Sequence, residues 1–298
     1  MTNLAIECSG VGKTYKEFTL KDIDLTLEKG QVMGFIGPNG AGKSTTIRIL
    51  MGMVAQDVGD VRVLGHRMPD EQADAKRNIG YVSEDMRLFP TATLAWHMAF
   101  MQKIYPGWNP KYADELLRRF DLKSGQKMKG MSHGQRVKST LLLALARFPT
   151  LLILDEPTTG LDPVARQEVL GAMMEVLADE ERTILFSSHN TQDVEQLADS
   201  ITFIDQGQVI SSLPKDAFME NWRRVRLEVP QGTEVPQIPG VKQIQHSGSI
   251  AVVTTSSYTD ETASLLSAEG GKILGTDTMT LEEIFIADVS ASRGRAVP

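Results

Sequence analysis

The chain has 298 residues, 41% of them hydrophobic and 23% charged, with a formal net charge of −7 at pH 7. That length carries one large domain plus a small appendage, and the acidic balance argues against a general nucleic-acid binder, which displays a basic face. A single cysteine, Cys8, excludes an intramolecular disulfide, fits a reducing compartment and reads as a small buried hydrophobe.

From the N-terminus onward, residues 1–10 lack a basic start followed by an apolar core, so no signal peptide is expected. The longest apolar runs, 141–146 and 151–154, end at Arg147 and Asp155, far short of the roughly 18 residues that cross a membrane. Aliphatic and β-branched runs at 25–27, 32–36, 61–63, 79–82, 151–154, 183–186 and 201–204 predict strands. Helices are expected to start at Lys43, around Thr93, at Lys111, after Met131, at Pro163 and near Thr191. Asp162 before Pro163 is a carboxylate N-cap followed by proline at the first helical position. The alternation is that of an α/β fold with a mainly parallel sheet.

Between 85 and 147 the strand signal vanishes, which predicts a helical subdomain inserted into the core. The texture changes again near Arg224: strands are expected at 225–229 and 250–254, helices at 260–269 and 281–287. Thr280 and Glu283 have the spacing of a capping box. The expected division is 1–222 and 223–298, the second part a small α+β domain whose end, 292–298, reads as a frayed tail.

The strand at 32–36 leads into Gly37-Pro38-Asn39-Gly40-Ala41-Gly42-Lys43-Ser44-Thr45 and then a helix, a phosphate-binding loop in its required context. Glycines let backbone N–H groups point at phosphate oxygens, and the helix presents its positive end. ATP is the expected ligand, with Lys43 on the β- and γ-phosphates and Ser44 on Mg²⁺. Gly10-Val11-Gly12-Lys13-Thr14 is a decoy, because Glu7 stands where the first glycine is needed; a strand-edge turn is expected there. Tyr15 beside it reads as an aromatic that stacks on a base. The run Leu151-Leu152-Ile153-Leu154-Asp155-Glu156-Pro157 delivers two carboxylates to a strand's C-terminal end, where α/β proteins bind ligands. Asp155 is expected to hold the Mg²⁺ shell and Glu156 to polarise the attacking water.

Three further segments narrow the class: Met131-Ser132-His133-Gly134-Gln135, Thr159-Gly160-Leu161-Asp162 and Ser187-Ser188-His189. In order and spacing they resemble the signature loop, D-loop and switch histidine of the ABC ATPases over roughly the first 220 residues. The resemblance implies a P-loop ABC ATPase core with an inserted helical subdomain and an antiparallel β portion, plus the small C-terminal α+β domain. It implies a head-to-tail pair of subunits, homomeric or heteromeric. Ser132, Gly134 and Gln135 then cap the γ-phosphate held by the opposite chain, His189 contacts it within its own chain, and Asp162 adds a cross-dimer contact to its cap.

Two residues depart from the family pattern. Glu84 stands where glutamine is usual and adds an anion near Mg²⁺; His133 replaces the first signature glycine and is either an exposed loop histidine or a pH-sensitive charge near phosphate. With Tyr105-Pro106-Gly107-Trp108-Asn109, these resemble a branch of the ABC-2-type exporter ATPases. The implied role is a transport motor, cytoplasmic and peripheral at the inner face of the cell membrane through an integral permease docked near Glu84. Soluble ABC ATPases of translation or repair carry paired nucleotide domains, coiled coils or zinc modules, and none is seen here. A subunit that binds ATP without turnover is disfavoured by Lys43, Asp155, Glu156 and His189.

Overall fold

Two long strands open the chain, β1 (Leu4–Thr14) and β2 (Thr19–Glu28), paired antiparallel. In β2, Leu20, Ile23, Leu25 and Leu27 turn inward while the residues between face water, as expected of a sheet with one wet face. The structure, a computed structural model, describes residues 3–177, 182–230, 235–236, 238–268 and 271–294. After β3 (Val32–Ile36) and α1 (Lys43–Leu50) come β4 (Val58–Val63), β5 (His66–Arg67) and the short α2 (Gln72–Ala75). β6 (Ile79–Ser83) precedes three helices, α3 (Leu94–Ile104), α4 (Pro110–Arg119) and α5 (His133–Leu145), with no strand among the described residues until β7 (Leu151–Asp155). α6 (Pro163–Leu177), β8 (Thr183–Ser188), α7 (Thr191–Leu197) and β9 (Ser200–Asp205) complete the alternation.

The strands form two sheets. One is antiparallel, in the order β2-β1-β4-β5; the other contains the parallel run β9-β3-β8-β7-β6. β3, β7 and β8 are buried along their whole length, which is why they read as unbroken apolar runs. Phe35, Ile153 and Leu185 of the parallel sheet share one core with Ile47 of α1 and Ile6, Leu25 and Val61 of the antiparallel sheet. Each such side chain contributes about 1.5–3 kcal/mol on burial.

The expected helix starts are close to those observed. α3 is capped by Thr93, which accepts from the Trp96 N–H, and α4 by Asn109 with proline in its first turn. Trp108 is buried, so it packs. The turn expected at 10–14 is corrected: β1 runs on to Thr14, with register shifts on either side of Val11. Those irregularities break the alternation by which a strand is recognised.

The chain divides at Val209/Ile210, within β10 (Gln208–Pro214), so the expected boundary at 222/223 falls inside the second unit. The first helix of that unit is α8 (Lys215–Asn221), which the sequence did not lead one to expect. Its sheet, in the order β12-β13-β11-β14, contains β11 (Arg223–Glu228), β12 (Val241–Ser247), β13 (Ile250–Thr255) and β14 (Lys272–Thr278). Val225 and Leu227 pair with Val253 and Ala251, and Leu266 of α9 (Asp260–Ser267) joins the same core. α10 (Leu281–Ser292) opens with the expected capping box, Thr280 to Glu283, and runs five residues beyond the predicted end. Its Asp288 is buried and paired with Lys242 Nζ at 2.8 Å and Ser211 Oγ at 2.6 Å. Glu269 and residues 295–298, part of the expected helix and tail, lie outside the described residues.

Candidate active site

The register of the parallel sheet lines up the ends of four strands. Ser83 of β6 pairs with Asp155 of β7, Asp155 with Ser187 of β8, and Ser188 with Ile36 of β3. The residues that follow, Glu84, Glu156, His189 and Gly37, therefore leave the sheet at one carboxyl edge, the ligand-binding edge of such folds.

The loop after β3 turns into α1 at Gly42, whose φ of +115° is open to glycine and strained for other residues. No side chain caps α1. The N–H groups of its first turn are thus left to an outside acceptor, and with the helix dipole they form a cradle for an anion. Lys43, 5% exposed, points into the same cradle. Its Nζ donates to the Gly37 carbonyl at 2.6 Å and the Pro38 carbonyl at 3.3 Å, and forms an ion pair with Glu156 Oε1 at 3.1 Å. The loop lines a cavity of about 570 Å³ shared with Glu17, Phe18, Glu84 and Glu156, large enough for a nucleotide.

Asp155 sits at the buried end of β7. Ser44 Oγ donates to its Oδ1 at 3.2 Å and Ser187 Oγ at 2.7 Å; Ser187 Oγ in turn accepts from the Glu156 N–H at 3.0 Å. Ser187 is thus a buried joint between the Asp155 carboxylate and the Glu156 backbone, a role that the Ser-Ser-His motif did not disclose. The hydroxyl–carboxylate pair of Ser44 and Asp155 is an all-oxygen donor set, suited to a hard cation that keeps waters and takes phosphate oxygens, as Mg²⁺ does. Among the described residues no group of three or more acidic, histidine or cysteine side chains could cage a metal by itself. Glu84 is exposed; its N–H donates to the Asp155 carbonyl at 3.2 Å, and it lines both this cavity and a neighbouring one of about 540 Å³.

Glu156 adopts φ +54°, a left-handed conformation that a non-glycine residue keeps only when its neighbours fix it. Its Oε2 accepts from Thr159 Oγ1 at 2.9 Å and from His189 Nδ1 at 2.7 Å. Burial by itself pushes this carboxyl up, but the Lys43 charge and the donors from Lys43, His189 and Thr159 outweigh it, so the group stays below its ordinary value of 4.5. An ionised carboxylate is what a proton acceptor needs.

The sequence-predicted residues are not all gathered here. None of Ser132, His133, Gly134 and Gln135 is among the residues lining the phosphate-loop cavity. They open α5 with a complete capping box: Ser132 Oγ accepts from the Gln135 N–H at 3.2 Å and Gln135 Oε1 from the Ser132 N–H at 3.0 Å. His133 is half-buried and donates from Nε2 to the Thr159 carbonyl at 3.0 Å, so the exposed loop histidine expected from sequence is corrected. Asp162 caps α6, its Oδ1 accepting from the N–H groups of Val164 and Ala165 at 2.9 and 3.0 Å. Tyr15 stands exposed, with Lys13 Nζ 5.9 Å from its ring centre, while Phe18 and Glu17 line the cavity. Sequence reasoning missed Phe18, whose position is set by the β1–β2 turn, where the Tyr15 N–H donates to its carbonyl at 2.7 Å.

Comparison with known proteins agrees with this geometry. The ABC transporter family profile matches residues 20–159. The ABC transporter ATP-binding protein YtrB of Bacillus subtilis is 28% identical over 92% of this chain and 94% of its own length. The linearmycin resistance ATP-binding protein LnrL of the same organism is 37% identical over 69% of this chain and 68% of its own. The Nod factor export ATP-binding protein I of Rhizobium johnstonii is 32% identical over 74% and 72%. A solved ATP-binding subunit of an ABC transporter superposes with a TM-score of 0.66 at 29% identity, covering 72% of this chain and 91% of that one. A dimeric ATP-binding cassette in a post-hydrolysis state with ADP and Pi shares the fold at a TM-score of 0.63 and 24% identity, covering 70% and 98%.

Proposed function

The chain belongs to the ABC transporter family as an ATP-binding subunit with ATPase activity, and we propose that it is the motor of an exporter. In this reading two such subunits close head to tail over ATP, and a separate integral membrane permease, held at the inner face of the membrane, converts closure and reopening into export. The observation that carries it is the split constellation: Lys43, Ser44 and Glu156 line one anion cradle, with Asp155 and His189 bonded to Ser44 and Glu156, while Ser132–Gln135 neither line it nor bond to these residues. A second chain supplies what the first lacks.

The roles follow from chemistry already in place. The N–H groups at the start of α1 and the Lys43 ammonium bind the β- and γ-phosphates. Ser44 and Asp155 would hold Mg²⁺, with Glu84 lining the same cavity as Ser44; when bound, the ion would withdraw charge from the phosphate oxygens. Glu156 takes the proton of the attacking water on a carboxylate oxygen. His189, 2.7 Å from that carboxylate, holds its orientation, and in this reading it contacts the γ-phosphate. Tyr15 stacks on the adenine beyond the loop. From the partner chain, Ser132 offers a hydroxyl proton that its cap does not use, and Gly134 a backbone N–H at a positive helix end.

Export is favoured over import by the linearmycin resistance and Nod factor export relatives, and an ABC-2-type branch fits the Val82-Ser83-Glu84 run. In the test, Glu156→Gln removes the base and keeps the shape. ATP turnover is expected to fall about 10²–10⁴-fold while ATP drives the variant into a stable dimer on light scattering. Wild-type turnover with a monomer at saturating ATP contradicts the reading.

A further inference from the structure

We propose that His133 is a positioning residue for Glu156, acting through Thr159 and tying the loop that opens α5 to the base of the same chain. The proposal rests on Glu156 being that base. A backbone carbonyl can only accept, so the 3.0 Å contact between His133 Nε2 and the Thr159 carbonyl requires the proton on Nε2. Thr159 is gripped from its other side by Glu156 itself. Its Oγ1 donates to Glu156 Oε2 at 2.9 Å and its N–H to the Glu156 carbonyl at 3.3 Å. Three groups thus form a continuous line: imidazole, threonine, carboxylate.

The fit is mutual. Gly160, at φ +70°, leaves the imidazole room, because a Cβ there would lie 3.3 Å from Nε2. At position 133 the family's usual glycine has no side chain to make the contact, so this chain has a link that the common pattern lacks. It matters because Glu156 sits in a left-handed conformation that depends on its neighbours. If Thr159 swings free, the carboxylate loses one of its two Oε2 donors and the base is less well aimed. Ser132, next to His133, is offered to the partner's ATP, whereas Glu156 serves its own. The line therefore lets engagement at one nucleotide set the base at the other. Such a residue governs rate and leaves affinity alone.

Steady-state ATP turnover of the full chain tests this, with kcat and KM resolved for His133→Gly, His133→Gln, Thr159→Val and the double variant His133→Gly/Thr159→Val. His133→Gly is expected to lower kcat about fivefold, the effect of one lost hydrogen bond, with KM unchanged within about twofold. His133→Gln keeps an N–H donor on a chain of similar reach and should restore most of kcat. Because both groups act along one line, the double variant should match Thr159→Val alone. Equal kcat for His133→Gly and wild type, a loss expressed in KM, or additive losses in the double variant would each overturn the proposal. Glu156→Gln run alongside separates the two claims. If that variant still turns over, the base assignment fails; if it is inactive and His133→Gly is normal, only the tether fails.

Discussion

Two helix starts in the same unit are built in opposite ways. α1 begins at a glycine, has no side-chain cap and carries a buried lysine at its first position. α5 begins at Ser132, itself exposed, with both members of its capping box in place. The first end cannot satisfy its own N–H groups and so is suited to an anion. The second is stable by itself and offers only surplus donors, those the cap leaves over. In the proposed reading the difference separates their roles: α1 takes the nucleotide within one chain, and α5 contributes across to a second chain.

The contrast can be broken most severely at the first end. Lys43→Ala removes the buried charge that faces the phosphates, and ATP affinity should weaken about 10- to 100-fold, measured by equilibrium titration with a fluorescent analogue. Unchanged affinity would mean that the open helix end binds without its lysine. The second end should behave otherwise. Ser132→Ala deletes the cap and its hydroxyl, at a cost of about 1 kcal/mol to α5. Affinity of the isolated chain for ATP should then stay within about twofold while turnover falls about fivefold to tenfold. An equal loss of affinity would put both ends in one site. A smaller effect is expected at Glu84, which borders the phosphate-loop cavity. Glu84→Gln removes one negative charge near the metal, and half-saturation by Mg²⁺ in turnover should shift about twofold to threefold; superimposable Mg²⁺ titrations would take Glu84 out of the metal's surroundings.

What the sequence made legible follows the same division. The 32–36 strand, the glycine loop and α1 are contiguous, so the uncapped end could be read from one stretch of chain, as could the Asp162 cap on α6. The position of Glu156 was readable too, because a strand buried on both faces has an unmistakable apolar run. Its environment was not. Lys43, Thr159, Ser187 and His189 come to the two carboxylates from separate segments, and no local pattern encodes their distances. His133 reaches Thr159 across 26 positions, and only the packing of α5 against the start of α6 reveals it. Two of the strands that escaped notice share a physical cause. β12 and β14 are the outer strands of their sheet, with half-exposed, polar-rich sequences such as Val241-Lys242-Gln243-Ile244, and an edge strand need not bury both faces.

The central claim is that the working site is divided between two chains, and mixing defective subunits tests it directly. Lys43→Ala supplies an intact α5 start, and Ser132→Arg an intact phosphate loop, so a mixed pair regains one complete site. Each variant alone should turn over ATP very slowly, and an equimolar mixture should rise well above both, in proportion to the mixed dimer formed. Turnover in the mixture that stays at the mean of the two separate variants would contradict a site shared between chains.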